Sequence, residues 1–115
     1  MKATKVPVPT TEALTAAFRA AREAAEAANT GDDEGTCNFD TAVLWLSHRY
    51  QKRVADAAEA AGLSFYARKW CGSAFFLHAP STGHWQGNRN TRIAEAMCKA
   101  LETHGLDAGM YYQMD

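Results

Sequence analysis

The stretch "CNFDTAVLWLSHRYQKRVADAAEAAG", Cys37 to Gly62, sets how the rest of the chain is laid out. Val43, Leu46, Tyr50, Val54, Ala57 and Ala61 recur at three- and four-residue steps, which predicts one amphipathic helix with a continuous apolar face. Asp40 is placed to cap that helix and Gly62 to end it. His48, Arg49, Lys52, Arg53, Asp56 and Glu59 fall on its opposite side.

C-terminal to this helix, "LSFYARKW" and "SAFFLHA" are β-favouring runs separated by Cys71-Gly72, the pattern of a hairpin. Leu63, Phe65 and Ala67 alternate with Ser64, Tyr66 and Arg68, as in a half-buried strand. A second helix is expected from about Thr91 to His104, with Ile93, Met97, Ala100 and Leu101 inward and a stop at Gly105-Leu106. "AGMYYQM" follows as the last strand. Strand, helix, strand in that order implies a crossover that sets the last strand parallel to an earlier one.

On the N-terminal side, residues 1–10 form an extended arm, with Pro7 and Pro9 discouraging regular structure. Thr11 to Ala28 is alanine-rich and helix-favouring, with Leu14, Phe18, Ala21, Ala25 and Ala28 as a thin stripe. So narrow a stripe suits either close docking on the main body or pairing with a second chain. The intervening "NTGDDEGT" lacks the alternating ligands of a calcium loop and reads as a solvated turn. The predicted fold is α+β: residues 11–115 as one domain, with a sheet of about three strands. Those strands are a hairpin and a C-terminal strand after a crossover helix. Two helices cover the sheet, with the N-terminal helix as an extra.

The composition bounds the partners. Twelve Lys and Arg against thirteen Asp and Glu give a formal charge of −1. A protein neutralising duplex DNA would be far more basic, so duplex DNA is not expected as the primary partner. No apolar run reaches the length of a membrane span, and the start lacks the apolar core of a signal peptide. Cys37, Cys71 and Cys98 show no paired spacing, so a reduced, cytosolic setting is expected rather than a disulfide framework.

The densest cluster of chemistry is "GHWQGNRNTRIAEAM", Gly83 to Met97. A helix start presents unpaired amides and the positive end of the macrodipole, both favourable to anions. Arg89 and Arg92 bracket that start, and arginine suits bidentate phosphate contact. Trp85 and His84 offer flat surfaces for a base. Trp85, Asn88, Arg89, Asn90, Thr91 and Arg92 are therefore candidate ligand residues for a phosphorylated nucleotide. The plainer alternative is a loop feeding a capped helix, with Trp85 as a core plug. Neither a Walker loop nor a dinucleotide fingerprint is present.

Arg49, Lys52 and Arg53, together with Arg68, form a second candidate surface, for a partner protein; Asp56 and Glu59 could equally pair those cations as an ordinary solvated face. Cys37, three residues before Asp40, is a candidate nucleophile only if a histidine approaches it, and no hydrolase pattern surrounds it. Cys71, His78 and His84 match no standard zinc spacing, and no cofactor is expected.

The blocks "GTCNFDTAVL" and "GNRNTRIAEAM", with the closing "MYYQMD", resemble those of small accessory proteins of bacteriophages and prophages over residues 35–115. The resemblance carries no catalytic residues. It implies a setting, the host cytosol, where a mobile element disarms host defence by binding. Three functions are then expected, in this order. The first is sequestration of a phosphorylated nucleotide, by an oligomer. The second is inhibition of a host defence complex such as a CRISPR nuclease, through the aromatic sheet and basic helix. The third is a small Cys/His hydrolase.

Overall fold

The computed structural model describes residues 7–31, 38–80 and 87–113. Among them, helix α1 spans Thr11–Ala28, as expected, and starts where Thr10 Oγ1 accepts the Ala13 amide at 3.0 Å. Its stripe of Leu14, Ala17, Phe18, Ala21 and Ala25 is wholly buried in the main core. Burying Leu14 and Phe18 contributes roughly 1.5–3 kcal/mol each. The docking alternative is therefore the one realised for this face.

The expected long helix is instead a strand followed by a shorter helix. Strand β1 spans Thr41–Trp45; a single 3-10 turn, His48–Tyr50, then leads into α2, Gln51–Ala61. Ser47, rather than Asp40, caps this helical segment, its Oγ accepting the Arg49 amide. The reason lies in burial. Thr41, Ala42, Val43 and Leu44 are all buried, so β1 shows no in-out alternation. A strand covered on both faces is a continuous apolar run, and such a run satisfies a helical period by default.

The hairpin forms as expected from β2, Ser64–Lys69, and β3, Ser73–His78, turning at Cys71 and Gly72. Helix α3 spans Gly87–Thr103, starting a turn earlier than expected. It stops at Gly105, where the Leu106 amide reaches the Leu101 carbonyl at 3.2 Å. Strand β4 is Ala108–Tyr111.

The sheet order is β2-β3-β1-β4, with every neighbouring pair antiparallel. Among the described residues this small sheet has four strands, the three expected plus β1. Strand β4 runs parallel to β3, as a crossover through α3 requires, but β1 lies between them. From β1 onward the chain is two interleaved β-α-β units, the split arrangement of a β-α-β-β-α-β motif.

All three helices share one face of this sheet, with α1 packed against both α2 and α3. Their core meets Ala42, Leu44, Phe75 and Leu77 from the central strands. The other face carries a second, smaller cluster around Val43, Ala74 and Phe76. No described helix is long and apolar enough to cross a membrane.

Gly62 ends α2 in the left-handed conformation (φ 76°), and its amide reaches the Ala58 and Glu59 carbonyls. Arg22 of α1 lies over it, donating from Nη1 to the Ala61 carbonyl at 3.3 Å. A Cβ on Gly62 would sit 1.8 Å from that Nη1. Gly62→Ala is therefore expected to lose about 1–2 kcal/mol from backbone strain, with a further loss from displacing Arg22. Thermal unfolding checks this, and the penalty should shrink in an Arg22→Ala background.

Candidate functional site

Two surfaces hold the residues of interest, one at the start of α3 and one on the sheet face away from the helices. At the first, Asn38, Asp40, Asn90 and Thr91 form a polar network. Asn90 is buried, and its Nδ2 donates to Asn38 Oδ1 at 2.6 Å and approaches the Asn38 and Asp40 carbonyls at 3.4 Å. Thr91 Oγ1 donates to Asp40 Oδ2 at 2.7 Å, while Asn38 Nδ2 lies 3.1 Å from Thr91 Oγ1 and 3.0 Å from the Gly87 carbonyl. Asp40 Oδ1 accepts the Gln113 amide at 2.9 Å. The carboxylate that the sequence suggested as a helix cap thus ties the start of β1 to α3 and to the C-terminal segment.

A cleft of about 580 Å³ opens beside this network, lined by Asn38, Asp40, Asn88, Thr91, Tyr112 and Gln113 among others. Its charged wall is the Asp40 carboxylate, which would repel an anion. Arg89 and Arg92 are not among the described residues lining it. Their guanidiniums reach instead to the end of α1: Arg92 Nη2 donates to the Thr30 carbonyl at 2.7 Å, and Arg89 Nη2 donates to the Gly31 carbonyl. Two cations at the positive end of α3 are unfavourable for that helix alone. They become favourable where carbonyls just past the negative end of α1 face them. Trp85 and His84 lie outside the described residues.

The second candidate surface is divided by the sheet. On α2, Lys52 pairs with Asp56 at 3.1 Å, both exposed. Arg53 donates to the Pro9 carbonyl at 3.0 Å and lies over the Tyr50 ring, while Arg49 flanks the same ring. Arg68 projects from the opposite face of the sheet. The structure therefore does not join Arg68 to the helix cations.

Where Arg68 projects, an aromatic ladder crosses all four strands. Its members are Tyr66 on β2, Phe76 and His78 on β3, Trp45 on β1 and Tyr111 on β4, with Trp70 folding in from the hairpin end. Tyr66 stacks on His78 (centroids 5.6 Å apart) and on Phe76 (5.1 Å); Phe76 meets Tyr111 edge-on (5.3 Å), and Tyr111 meets Trp70 (5.1 Å). Trp70 then stacks on Trp45 at 5.7 Å, and Trp45 Nε1 donates to the Trp70 carbonyl at 2.9 Å. The Arg68 guanidinium carbon stands 5.3 Å from the Phe76 ring and 5.1 Å from the Tyr111 ring. Cation–π contacts of this kind contribute about 0.5–2 kcal/mol.

Glycine makes the ladder continuous. A Cβ on Gly109 would lie 2.6 Å from Trp45 Cζ3, so the absence of a side chain lets the indole lie across β4. Phe76 is fully buried beneath its neighbours, Trp45, Trp70 and Tyr111 are half-buried, and Tyr66 is 45% exposed. No outward position of the four strands carries Asp or Glu. His78 is held below its ordinary value of 6.5 by burial. Its neutral form is thus favoured in the fold, and stability declines as pH falls from 6.5 towards that lowered value, where the unfolded chain takes up a proton that the fold does not. Trp45, Tyr66, Phe76 and Tyr111 were not among the ligand residues expected from sequence. Their shared face follows from the strand register, which composition does not contain.

Cys37 lies outside the described residues. Cys71 is exposed at the hairpin turn, and Cys98 is buried on α3. Burial and the adjacent Glu102 carboxylate push the Cys98 thiol up to about 12. Among the described residues, no group of three or more His, Cys, Asp or Glu gathers as a metal site. No protein-family model, curated protein or solved structure matches this chain.

Two outcomes follow from these environments. Asn90→Leu should remove the bonds to Asn38 and Asp40 while keeping the branched shape of the side chain, lowering stability by at least about 1–3 kcal/mol in denaturant unfolding. Peptide mapping of native protein alkylated at pH 9 should find the exposed Cys71 modified and the buried Cys98 not. Because the Cys98 pKa is raised, the stability linked to its protonated thiol is complete below pH 9 and declines as pH rises towards 12.

Proposed function

We propose that this chain is a binding protein that takes a nucleobase-bearing ligand on the open face of its sheet. The observation that carries this reading is the ladder from Tyr66 to Trp45, with Arg68 over its rings and no carboxylate among its outward positions. A planar base gains from stacking on such rings, and a guanidinium beside them supplies a phosphate contact. The reading keeps the nucleotide expected from sequence and moves its base to a different surface. The setting implied by the phage resemblance makes cyclic nucleotides of host defence the first small ligands to try.

Phosphate capture at the start of α3, through Arg92, is the competing site. Two variants separate them. In a thermal-shift panel of mono- and cyclic nucleotides and short oligonucleotides, a saturating ligand should raise the melting temperature by mass action. Tyr66→Ala should remove that shift and Arg92→Ala should retain it, on a lowered baseline because the bond to Thr30 is lost. The opposite pattern would return the ligand to α3.

A second reading, inhibition of a protein complex through the same face, draws support from its Trp, Tyr and Arg content, the residue types that dominate protein–protein hot spots. It predicts co-elution with a host complex that Tyr66→Ala abolishes, with no response to any nucleotide.

A further inference from the structure

Resting on that reading of the open face, we infer that its occupant is a single-stranded nucleic acid of several nucleotides rather than a free nucleotide. The first support is extent. The ladder crosses all four strands in steps of 5.1–5.7 Å between ring centroids. One base covers one ring, so a single nucleotide leaves most of this surface unused, whereas the bases of a strand can spread over the rings left accessible, Tyr66, Tyr111, Trp70 and Trp45, with Phe76 buried beneath them. Such stacking tolerates any sequence, because every base presents a π-face.

The second support is the outer strand of the sheet. Strand β2 is exposed along nearly its whole length, and "YARKW", Tyr66 to Trp70, interleaves aromatic and basic side chains there. Tyr66 and Arg68 share the open face, and Trp70 returns over the rings. Cations beside stacking surfaces are what a phosphate backbone running past stacked bases requires.

Charge supplies the third support. The chain as a whole carries thirteen acidic residues, yet none falls within the four strands that build this face. A polyanion is therefore not opposed where its bases would stack. Few cations are present either, so affinity should rest on stacking more than on counterion release. With Arg68 neutralising one phosphate, the slope of log K against log salt should be about −0.7. A duplex buries its bases and offers only its backbone, so it should bind far more weakly.

The test is a titration of the full chain with fluorescein-labelled dT10, followed by anisotropy, with thymidine monophosphate, a ten-unit abasic backbone and a ten-base-pair duplex as unlabelled competitors. The expected result is that dT10 competes at least 100-fold better than the monophosphate and at least 10-fold better than the abasic backbone or the duplex. Tyr66→Ala and Arg68→Ala should each weaken dT10 binding about tenfold or more, with circular dichroism unchanged and the melting temperature lowered only by the lost ring contacts, so that binding is measured well below it. Competition by thymidine monophosphate equal to that of dT10 would overturn the strand while leaving the nucleobase reading intact. An abasic backbone as effective as dT10 would overturn it in favour of charge alone. Binding unaffected by Tyr66→Ala would remove the site from this face. Absence of binding to every nucleobase ligand would overturn both readings, as would a dimer that Tyr66→Ala dissociates and that ignores dT10.

Discussion

Strand β1 lies at the inside of the sheet between β3 and β4, and it is buried on both faces at once. Ala42 and Leu44 face the helical core, while Val43 joins the smaller cluster beneath the aromatic ladder. Every other element takes its position from that double burial. The helices cover one side because Ala42 and Leu44 must leave water; the rings assemble on the other because Val43 and Trp45 project there. Pairing of Val43 with Phe76 and Gly109 sets the register that brings Trp45, Phe76 and Tyr111 onto one face. A slip of one residue would send each of them into the helical core.

The arginines show how this chain uses charge. Four of them donate to main-chain carbonyls of other segments: Arg22 to Ala61, Arg53 to Pro9, Arg89 to Gly31 and Arg92 to Thr30. Three of these contacts lie at or just beyond helix C-termini, where carbonyls lack intrahelical partners and the dipole favours cations. Arginine at these places is a clasp between elements. Arg68 differs in kind, since its guanidinium stands over two aromatic rings on the face that no described helix covers. That contrast moves attention from the start of α3, where the sequence concentrates its unusual residues, to the sheet.

The polar network at Asp40 belongs to the same logic of holding elements together. Asn38, Asp40, Asn90 and Thr91 come from segments about fifty residues apart, and their bonds fix the first turn of α3 against β1. A buried asparagine with its donors engaged specifies position more than it adds stability, because the same groups are hydrogen-bonded to water when unfolded.

The sequence alone determined the elements whose pattern is local. Helix α1, the hairpin of β2 and β3, the stop of α2 at Gly62 and that of α3 at Gly105 follow from stripe, alternation and turn chemistry, all confined to a few neighbouring residues. Only the tertiary structure decided that Thr41–Trp45 is a strand, because an apolar run buried on two sides has no period of its own and takes its form from what covers it. It also decided where the arginines go, since their partners are carbonyls distant in sequence. The aromatic face is the clearest case: its residues are plain to see in the chain, but whether they stand together depends on register, and register is a property of paired strands.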